Sequence, residues 1–317
     1  MRGSLEGFRK KLTDTNKVTV RFASPSHHMK ANAQLIARIQ TSLNANVIGL
    51  TALSGGSIAA SYRADLDGGE CVFVKTSPQH RDMFLKEANG LNELRTADAL
   101  LIPEVIIATE EVLITEFLPA SAPSDPFRFF EEFGKRFARL HRSTNERFGF
   151  RENNYIGSTV QNNLPMTTSW KDFFITNRLE FQFRLAESNG YRDTEILRLF
   201  RKMESLIERT IVDDGEGPAL MHGDLWSGNF LCTGNDTPVL FDPAVYYGHR
   251  EMDLAMTRLF GGFSEVFYAS YHETYPLNED WKRRCELYSL YHLFNHLNLF
   301  GEGYYPQIFS VMRSLLK

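Results

Sequence analysis

Short apolar runs separated by turn residues mark the chain between residues 47 and 117. Runs of this kind, rich in Val, Ile and Phe and bounded by Gly, Asp or Ser, are typical of β-strands. They predict strands over residues 47–50, 58–63, 71–74, 105–108 and 112–115. We expect these strands to form an antiparallel sheet. One stretch, residues 81–95, repeats apolar residues every three or four positions and predicts a helix packed on that sheet.

The helical period dominates the rest of the chain. It predicts amphipathic helices over residues 126–141, 169–186, 194–211 and 281–299. Two strand-like runs, residues 230–232 and 239–241, interrupt this pattern and predict a hairpin with a turn at Gly234-Asn235-Asp236.

A segment rich in Pro and Ser, residues 119–126, marks the boundary between the two patterns. The predicted fold class is therefore α+β, with a sheet lobe over residues 29–116 and a mainly helical lobe over residues 117–317. Residues 1–28 form an N-terminal extension that we expect to be disordered, with a transit peptide as the alternative.

Composition places the chain among globular proteins and excludes several classes. Hydrophobic residues make up 43% of the 317 and charged residues 23%, which is ordinary for a protein with packed cores. The net charge of -4, without a basic patch, predicts no nucleic-acid partner. No apolar run is long enough for a membrane span. Cys71, Cys232 and Cys285 form no CxxC pair, so we expect neither a zinc site nor a disulfide framework, and a cytoplasmic location fits best.

The most informative chemistry lies between His222 and Asp242. Asp224 is followed five positions later by Asn229, and Asp242 comes directly after the predicted hairpin. In protein kinases, the catalytic loop H-R-D-x-x-x-x-N supplies the base and one magnesium ligand, and a later Asp holds the other metal. The same offset predicts Asp224 as the catalytic base and Asn229 and Asp242 as Mg²⁺ ligands.

An alternative is that these residues only form turns and caps, as Asp and Asn often do. The three in register beside His222 favour the kinase interpretation, because phosphoryl transfer needs hard oxygen ligands and a positioned base.

The first half of the chain contains residues that could hold ATP. Lys75 ends the strand-like run Val72-Phe73-Val74, as in the kinase V-A-I-K motif, and Glu87 in the predicted helix could pair with it. Gly55-Gly56-Ser57 could cover the phosphates, although a plain hairpin turn explains these residues as well. Glu116-Phe117-Leu118 lies where adenine would meet the hinge.

Two departures from the protein-kinase pattern favour a small-molecule kinase. Gly223 stands where the catalytic-loop arginine would be, and Pro243 replaces the Phe of D-F-G. The second change suggests the hypothesis of a site that is kept permanently in its active form.

With these residues in place, the chain resembles the fructosamine/ketosamine 3-kinase family, a branch of the aminoglycoside-phosphotransferase-like kinases. The resemblance covers most of residues 47–313. Its marks are Phe148-Gly149-Phe150, Asn154-Tyr155-Ile156-Gly157, Ser169-Trp170, residues 222–229, and the run Asp242-Pro243-Ala244-Val245-Tyr246-Tyr247-Gly248-His249-Arg250-Glu251.

The resemblance implies an ATP-dependent kinase that phosphorylates the 3-hydroxyl of a sugar attached to an amine, free or on a protein, and so helps to repair glycation. From the residues alone we infer only that MgATP phosphorylates a hydroxyl group. Trp226 could lie against the sugar or brace the loop, and His249 and Arg250 could contact substrate or brace the catalytic loop. Rival interpretations are another acceptor, such as an aminoglycoside or choline, and a nucleotide-binding pseudokinase. The oligomeric state is open, with a monomer favoured.

Overall fold

The computed structural model describes residues 25–53, 59–77, 82–191, 193–211 and 215–317. The predictions for residues 1–24 and for Gly55-Gly56-Ser57 lie outside these ranges. None of the helices in the described part combines the length and apolar character that a membrane span requires.

An antiparallel sheet forms the N-terminal part of the described chain, as predicted. Its strands pair in the order β1-β2-β3-β5-β4, which places β3 at the centre. The strands are β1 (Val47–Leu53), β2 (Ala60–Leu66), β3 (Cys71–Thr76), β4 (Val105–Ala108) and β5 (Val112–Glu116).

Strand alternation decides which way Lys75 points. Val72 and Val74 are buried in a small cluster with Leu35 and Ile39 of helix α1 (Pro25–Leu43). Side chains alternate between the two faces of a strand, so Lys75 lies on the opposite face, toward the second helix. Helix α1 was not predicted from the sequence, and it covers the outer face of the sheet.

Helix α2 (Met83–Arg95) confirms the predicted amphipathic helix. It buries Met83, Phe84, Ala88, Leu91 and Leu94, the stripe that the three- and four-residue spacing indicated. This stripe belongs to the large core, which includes Leu113 of the sheet and continues into the second half of the chain.

The second half is mainly helical, as predicted, and encloses three short strand pairs. The hairpin of β9 and β10 is the one expected around Gly234. Its helices are α3 (Pro126–Leu140), α4 (Trp170–Phe173), α5 (Phe181–Ser188), α6 (Thr194–Thr210), α7 (Glu251–Leu259), α8 (Glu265–Thr274), α9 (Trp281–Phe300) and α10 (Tyr305–Leu315). Its strands are β6 (Asn154–Ile156), β7 (Thr159–Gln161), β8 (Ala219–Met221), β9 (Phe230–Thr233), β10 (Thr237–Leu240) and β11 (Tyr246–Gly248).

The helix predicted over residues 169–186 is present, but it is not α-helical along its whole length. A π-helical segment, Phe174–Glu180, separates α4 from α5. It carries Arg178, which is fully buried, with its guanidinium 4.0 Å from the centre of the Tyr246 ring and a hydrogen bond of 2.7 Å to Asn163 Oδ1. Apolar periodicity cannot distinguish a π-turn from an α-turn.

Candidate active site

The loop from His222 to Asn229 begins directly after β8 and is held at its start by Asp253 of α7. The Asp253 carboxylate accepts hydrogen bonds from the backbone N–H groups of His222 and Gly223, at 2.7 and 2.8 Å. His141, which ends α3, lies 3.3 Å from the same carboxylate. Asp253 is buried, so these bonds are shielded from water and fix the loop against the helical core.

The same loop is tied to the segment that carries Asp242. His222 Nε2 lies 2.9 Å from the carbonyl oxygen of Phe241, and Ala244 N–H donates to the carbonyl oxygen of His222 at 2.8 Å. Strands β8 and β11 pair so that Met221 faces Tyr246. Two stretches of chain about 20 residues apart therefore form one rigid frame around the site.

The structure brings the predicted catalytic and metal residues together. Asn229 Nδ2 donates to the backbone oxygen of Asp224 at 2.8 Å and lies 3.2 Å from Asp224 Oδ2. The same nitrogen is 3.5 Å from the backbone oxygen of Asp242. Asp224 and Asp242 both keep partial exposure to solvent, so the pair is open to a ligand.

Lys75 connects the sheet to this cluster. Its Nζ lies 2.5 Å from Asp242 Oδ1 and 2.8 Å from Glu87 Oε1. The Lys75–Glu87 pair expected from the sequence is thus formed, and Lys75 also reaches across the cleft to Asp242. The three residues come from the sheet, α2 and the loop after β10.

The electrostatics of the cluster are dominated by negative charge. Burial alone would lower the pKa of Lys75, but the charges of Asp242 and Glu87 outweigh it and raise that pKa. Burial raises the pKa of Glu87 to about 7, with a further contribution from the negative charge of Asp242 and against the opposing charge of Lys75. Burial and the charge of Asp242 also raise the pKa of Asp224. Two carboxylates, Glu87 and Asp242, contact one ammonium group, and the charge of Asp224 acts on Asp242, so the cluster favours an added cation.

The pKa values of two histidines beside the loop are lowered, whereas those of Glu87 and Asp224 are raised. Burial lowers the pKa of His141 and of His222, although the nearby Asp253 carboxylate opposes this. Burial would by itself raise the pKa of Asp253, but its bond to His141 and the charges and N–H groups around it hold that pKa low. Asp253 therefore stays ionised and acts as a hydrogen-bond acceptor for the loop.

The residues predicted to meet adenine, Glu116, Phe117 and Leu118, lie at the end of β5 and just beyond it. Glu116 ends β5, where its N–H donates to Glu104 O at 2.8 Å, and Phe117 lies beneath the guanidinium of Arg63 at 5.1 Å. Leu118 follows, partly exposed, and leads into the hinge. Ser121 N–H then donates to Cys232 O, which ties the hinge to hairpin strand β9.

Trp226 is exposed beside the catalytic loop. Its side chain is 39% exposed, and a β carbon on Gly228 would lie 2.3 Å from the ring. One face of the indole therefore rests on the loop backbone, and part of the ring remains open to solvent. Both interpretations of Trp226, bracing the loop and meeting a sugar, agree with this position.

His249 and Arg250 are not brought into the site. Arg250 is 1% exposed, pairs with Glu216 through two nitrogens at 2.5 and 2.8 Å, and donates to two backbone carbonyl groups. His249 is 4% exposed and packs beside the rings of Trp170 and Tyr288, which also contact each other. Neither side chain is accessible to a substrate, and Arg250 bonds to Glu216 and to the backbone of Tyr275 and Pro276 rather than to residues 222–229.

The sequence did not indicate that His141 contacts Asp253, the residue that holds the loop, because the two lie more than 100 residues apart in the chain. It falls at the end of an amphipathic helix, where a histidine carries no motif. Its position becomes clear only from the packing of α3 against α8, where His141 Nδ1 lies 2.7 Å from the Tyr271 hydroxyl.

The fold and the site define a kinase of the two-lobed, protein-kinase-like class. The fold is shared with a solved aminoglycoside phosphotransferase, APH(4)-Ia, at a TM-score of 0.64 over 89% of this chain and 98% of that one. The sequences are 14% identical, so this likeness concerns the fold alone.

The chain belongs to the fructosamine kinase family, whose pattern matches residues 28–317. It is 37% identical to a probable ketoamine kinase of Vibrio parahaemolyticus over 261 residues, which is 80% of this chain and 88% of that protein. A crystal structure of a candidate fructosamine-3-kinase from Thermobifida fusca is similar at a TM-score of 0.81 and 31% identity, covering 89% of this chain and 98% of that one.

Proposed function

We propose that this protein transfers the γ-phosphoryl group of ATP to a hydroxyl group of a ketosamine, the adduct that a sugar forms with an amine. The family and the names of its relatives support a sugar amine as the acceptor class. The expected product is the 3-phosphate, which the fructosamine-3-kinase relative suggests. A cytoplasmic location and a monomeric state stay predictions.

One observation carries the proposed mechanism. Lys75, Asp242, Asn229 and Asp224 form a continuous series of polar contacts from the sheet to the catalytic loop. Lys75 in this position would meet the α- and β-phosphates, as the corresponding lysine does in kinases. A pseudokinase would not need all four residues together.

The donor set fits magnesium. Asn229 uses its amide nitrogen for Asp224, which leaves its amide oxygen, and Asp242 contributes a carboxylate. Among the described residues, no group of three or more His, Cys, Asp or Glu side chains is arranged to hold a metal by itself. Magnesium in kinase sites is bound by one or two carboxylates together with substrate phosphates, so this small donor set is sufficient. The bound ion would neutralise charge that develops on the phosphates.

Asp224 is the proposed base. It would accept the proton of the attacking hydroxyl and aim that oxygen at the phosphorus. Its backbone is fixed by Asn229 and by the frame around Gly223, while its carboxylate is partly open. Because its pKa is raised, the carboxylate is a better proton acceptor than an ordinary aspartate.

The direct test is ATP turnover with lysine adducts of fructose, ribulose and erythrulose, alongside choline and kanamycin. We expect turnover with the ketosamines, and a loss of about 1000-fold in kcat for Asp224→Asn. Asp172→Asn, an exposed aspartate on α4, is the matched control and should keep wild-type turnover. Faster turnover of choline or kanamycin would reject the acceptor class, and an active Asp224→Asn enzyme would reject the base.

A further inference from the structure

Helix α2 carries Glu87, the partner of Lys75, and by position in the chain it belongs to the sheet lobe. Its polar side chains nevertheless bond to the helical lobe. Glu152, just before β6, accepts hydrogen bonds from Lys86 at 2.5 Å and from Asn89 at 2.7 Å. The side chains of Lys86 and Glu152 are about one quarter and one fifth exposed, so the ion pair is partly shielded from solvent.

Two further contacts extend this attachment along the whole helix. At its start, the Tyr155 hydroxyl donates to Asp82 at 2.6 Å. Near its end, the Tyr247 hydroxyl donates to Glu93 at 2.8 Å. Tyr155 and Tyr247 belong to β6 and β11 of the helical lobe, so α2 is anchored near both ends and in the middle.

Between these polar contacts, α2 packs directly on the segment that carries Asp242. A β carbon on Gly90 would lie 3.2 Å from Val245 Cγ2 and 3.5 Å from the Pro243 ring. The absence of a side chain at Gly90 allows this approach. Pro243, the residue that replaces the Phe of D-F-G, is therefore covered by α2.

The contact between α2 and the sheet is of a different kind. Leu91 and Leu94 of α2 belong to the same core as Leu113 of β5, and Arg95 at the end of α2 donates to Ile102 O at 2.8 Å. Apolar contacts are not directional and can adjust by sliding, whereas hydrogen bonds between fixed partners cannot. The Lys75–Glu87 pair is the polar link that lies between α2 and the central strand.

We propose that α2 moves with the helical lobe, and that Glu152 is a positioning residue for the ATP site. Glu87 then keeps a fixed place relative to Asp242 while the sheet moves over the nucleotide. In protein kinases the position of the corresponding helix is controlled by activation. In this protein the helix is attached permanently, so nucleotide binding requires only the sheet, with Lys75, to adjust. The inference rests on the proposed phosphotransfer site.

The first experiment locks α2 to the Asp242 segment. A β carbon at Gly90 would lie 3.5 Å from Val245 Cβ, which is within the range for a disulfide. The variant Gly90→Cys with Val245→Cys is oxidised and then reduced, and turnover is compared between its two forms. Each single variant, treated in the same way, controls for the native cysteines.

If α2 already moves with the helical lobe, the disulfide should change kcat and KM for ATP by no more than about twofold. A loss of tenfold or more on oxidation that is recovered on reduction would show that α2 must move during the cycle, and would overturn the proposal. Because the oxidised and reduced forms have the same sequence, any effect of the substitutions themselves cancels.

The second experiment removes the anchor. We expect Glu152→Ala to lower kcat/KM for ATP by about tenfold with the acceptor KM unchanged, because Glu87 loses its fixed position. Glu152→Gln keeps one acceptor oxygen, for either Lys86 or Asn89, and places an amide nitrogen against the other donor, so it should restore only part of this loss. Glu208→Ala, which breaks the exposed Lys171–Glu208 pair, is the matched control. Unaltered ATP kinetics in Glu152→Ala would also overturn the proposal.

Hydrogen exchange separates this inference from the proposed function. In Glu152→Ala, backbone amides of α2 should exchange faster while those of β3 and β5 stay as in the wild type. This readout needs no substrate. If the wild-type protein fails to phosphorylate any ketosamine, the proposed function fails, while unchanged exchange in α2 would reject the anchoring role alone.

Discussion

The backbone of Gly223 lies against the carbonyl oxygen of Ala244 so closely that a β carbon would be 2.0 Å from that oxygen. Gly223 also has a φ of +84°, which L side chains rarely adopt. The position where protein kinases place an arginine therefore has no room for any side chain. The loop that carries Asp224 and the segment that carries Asp242 are therefore in direct backbone contact at Gly223 and Ala244.

This contact predicts that Gly223→Ala will separate the two segments. We expect the free energy of unfolding to fall by about 3 kcal/mol and phosphotransfer to be lost, because both strain and a clash with backbone arise. Urea unfolding measures the first effect and ATP turnover the second. Gly234→Ala, in the β9–β10 turn with nothing within 4 Å, is the control and should be nearly neutral. A fully stable Gly223→Ala enzyme would contradict the close contact.

A second prediction concerns Asp242, which has a φ of +55°. Asn tolerates this left-handed conformation, so Asp242→Asn should keep the fold while removing a carboxylate ligand. We expect magnesium-dependent nucleotide binding to be lost in calorimetric titration, with the melting temperature close to that of the wild type. Asp236→Asn is the matched control, since Asp236 has a φ of +51° and lies in the hairpin turn. Unchanged metal dependence in Asp242→Asn would argue against this ligand.

A third prediction separates the two roles weighed for Trp226. If its exposed indole meets the sugar, Trp226→Ala should raise the acceptor KM about tenfold and leave the KM for ATP unchanged. If the ring only braces the loop, both parameters and the melting temperature should change together. Steady-state kinetics with each substrate varied in turn, together with a melting curve, distinguishes these outcomes.

A fourth prediction concerns Arg250, which we place outside the acceptor site. Arg250→Met removes the guanidinium that pairs with Glu216 and leaves that carboxylate only its contacts with Asn278 and His249, so the free energy of unfolding should fall by about 3 kcal/mol. The acceptor KM of the folded enzyme should remain unchanged. Adding Glu216→Gln should recover part of the stability, because the carboxylate charge that the guanidinium balanced is then removed. A selective rise in the acceptor KM would instead return Arg250 to the substrate site.

A fifth prediction concerns stability in acid. Burial lowers the pKa of His292 to about 3, and it also lowers the pKa values of His141, His222 and His296. A histidine with a lowered pKa in the folded state takes up its proton more readily when unfolded, so stability falls as the pH drops below about 6.5. From His292 alone, the loss at pH 5 should be about 2 kcal/mol.

Chemical denaturation between pH 7.5 and pH 5 measures this dependence. His292→Leu should flatten the slope, because one proton-binding difference is removed. His272→Leu, at an exposed histidine on α8, is the comparison substitution. A pH slope that His292→Leu does not alter would contradict the assignment.

Much of the site could be predicted because its chemistry is local in sequence. Asp224 and Asn229 lie on one loop at a spacing that short-range geometry enforces, and Asp242 follows one hairpin later. The helix period located α2, α3, α6, α9 and the stretch from α4 to α5, but not α8 or α10, and short apolar runs between turn residues located the sheet. Lys75 was recognised because it follows a strand-like run, and its pairing with Glu87 was expected because Glu87 lies in the predicted helix.

The remaining features depended on contacts between distant parts of the chain. Lys75 meets Asp242 across 167 positions, His141 meets Asp253 across 112, and Arg250 points inward to Glu216 and to the backbone of Tyr275 and Pro276. The sequence by itself therefore indicated candidate residues for the chemistry and most of the helical and extended segments, since these follow from residue type and local period. The tertiary structure decided which polar side chains face the cleft, which are buried, and to which lobe α2 is bonded, because those outcomes depend on packing partners that no local pattern contains.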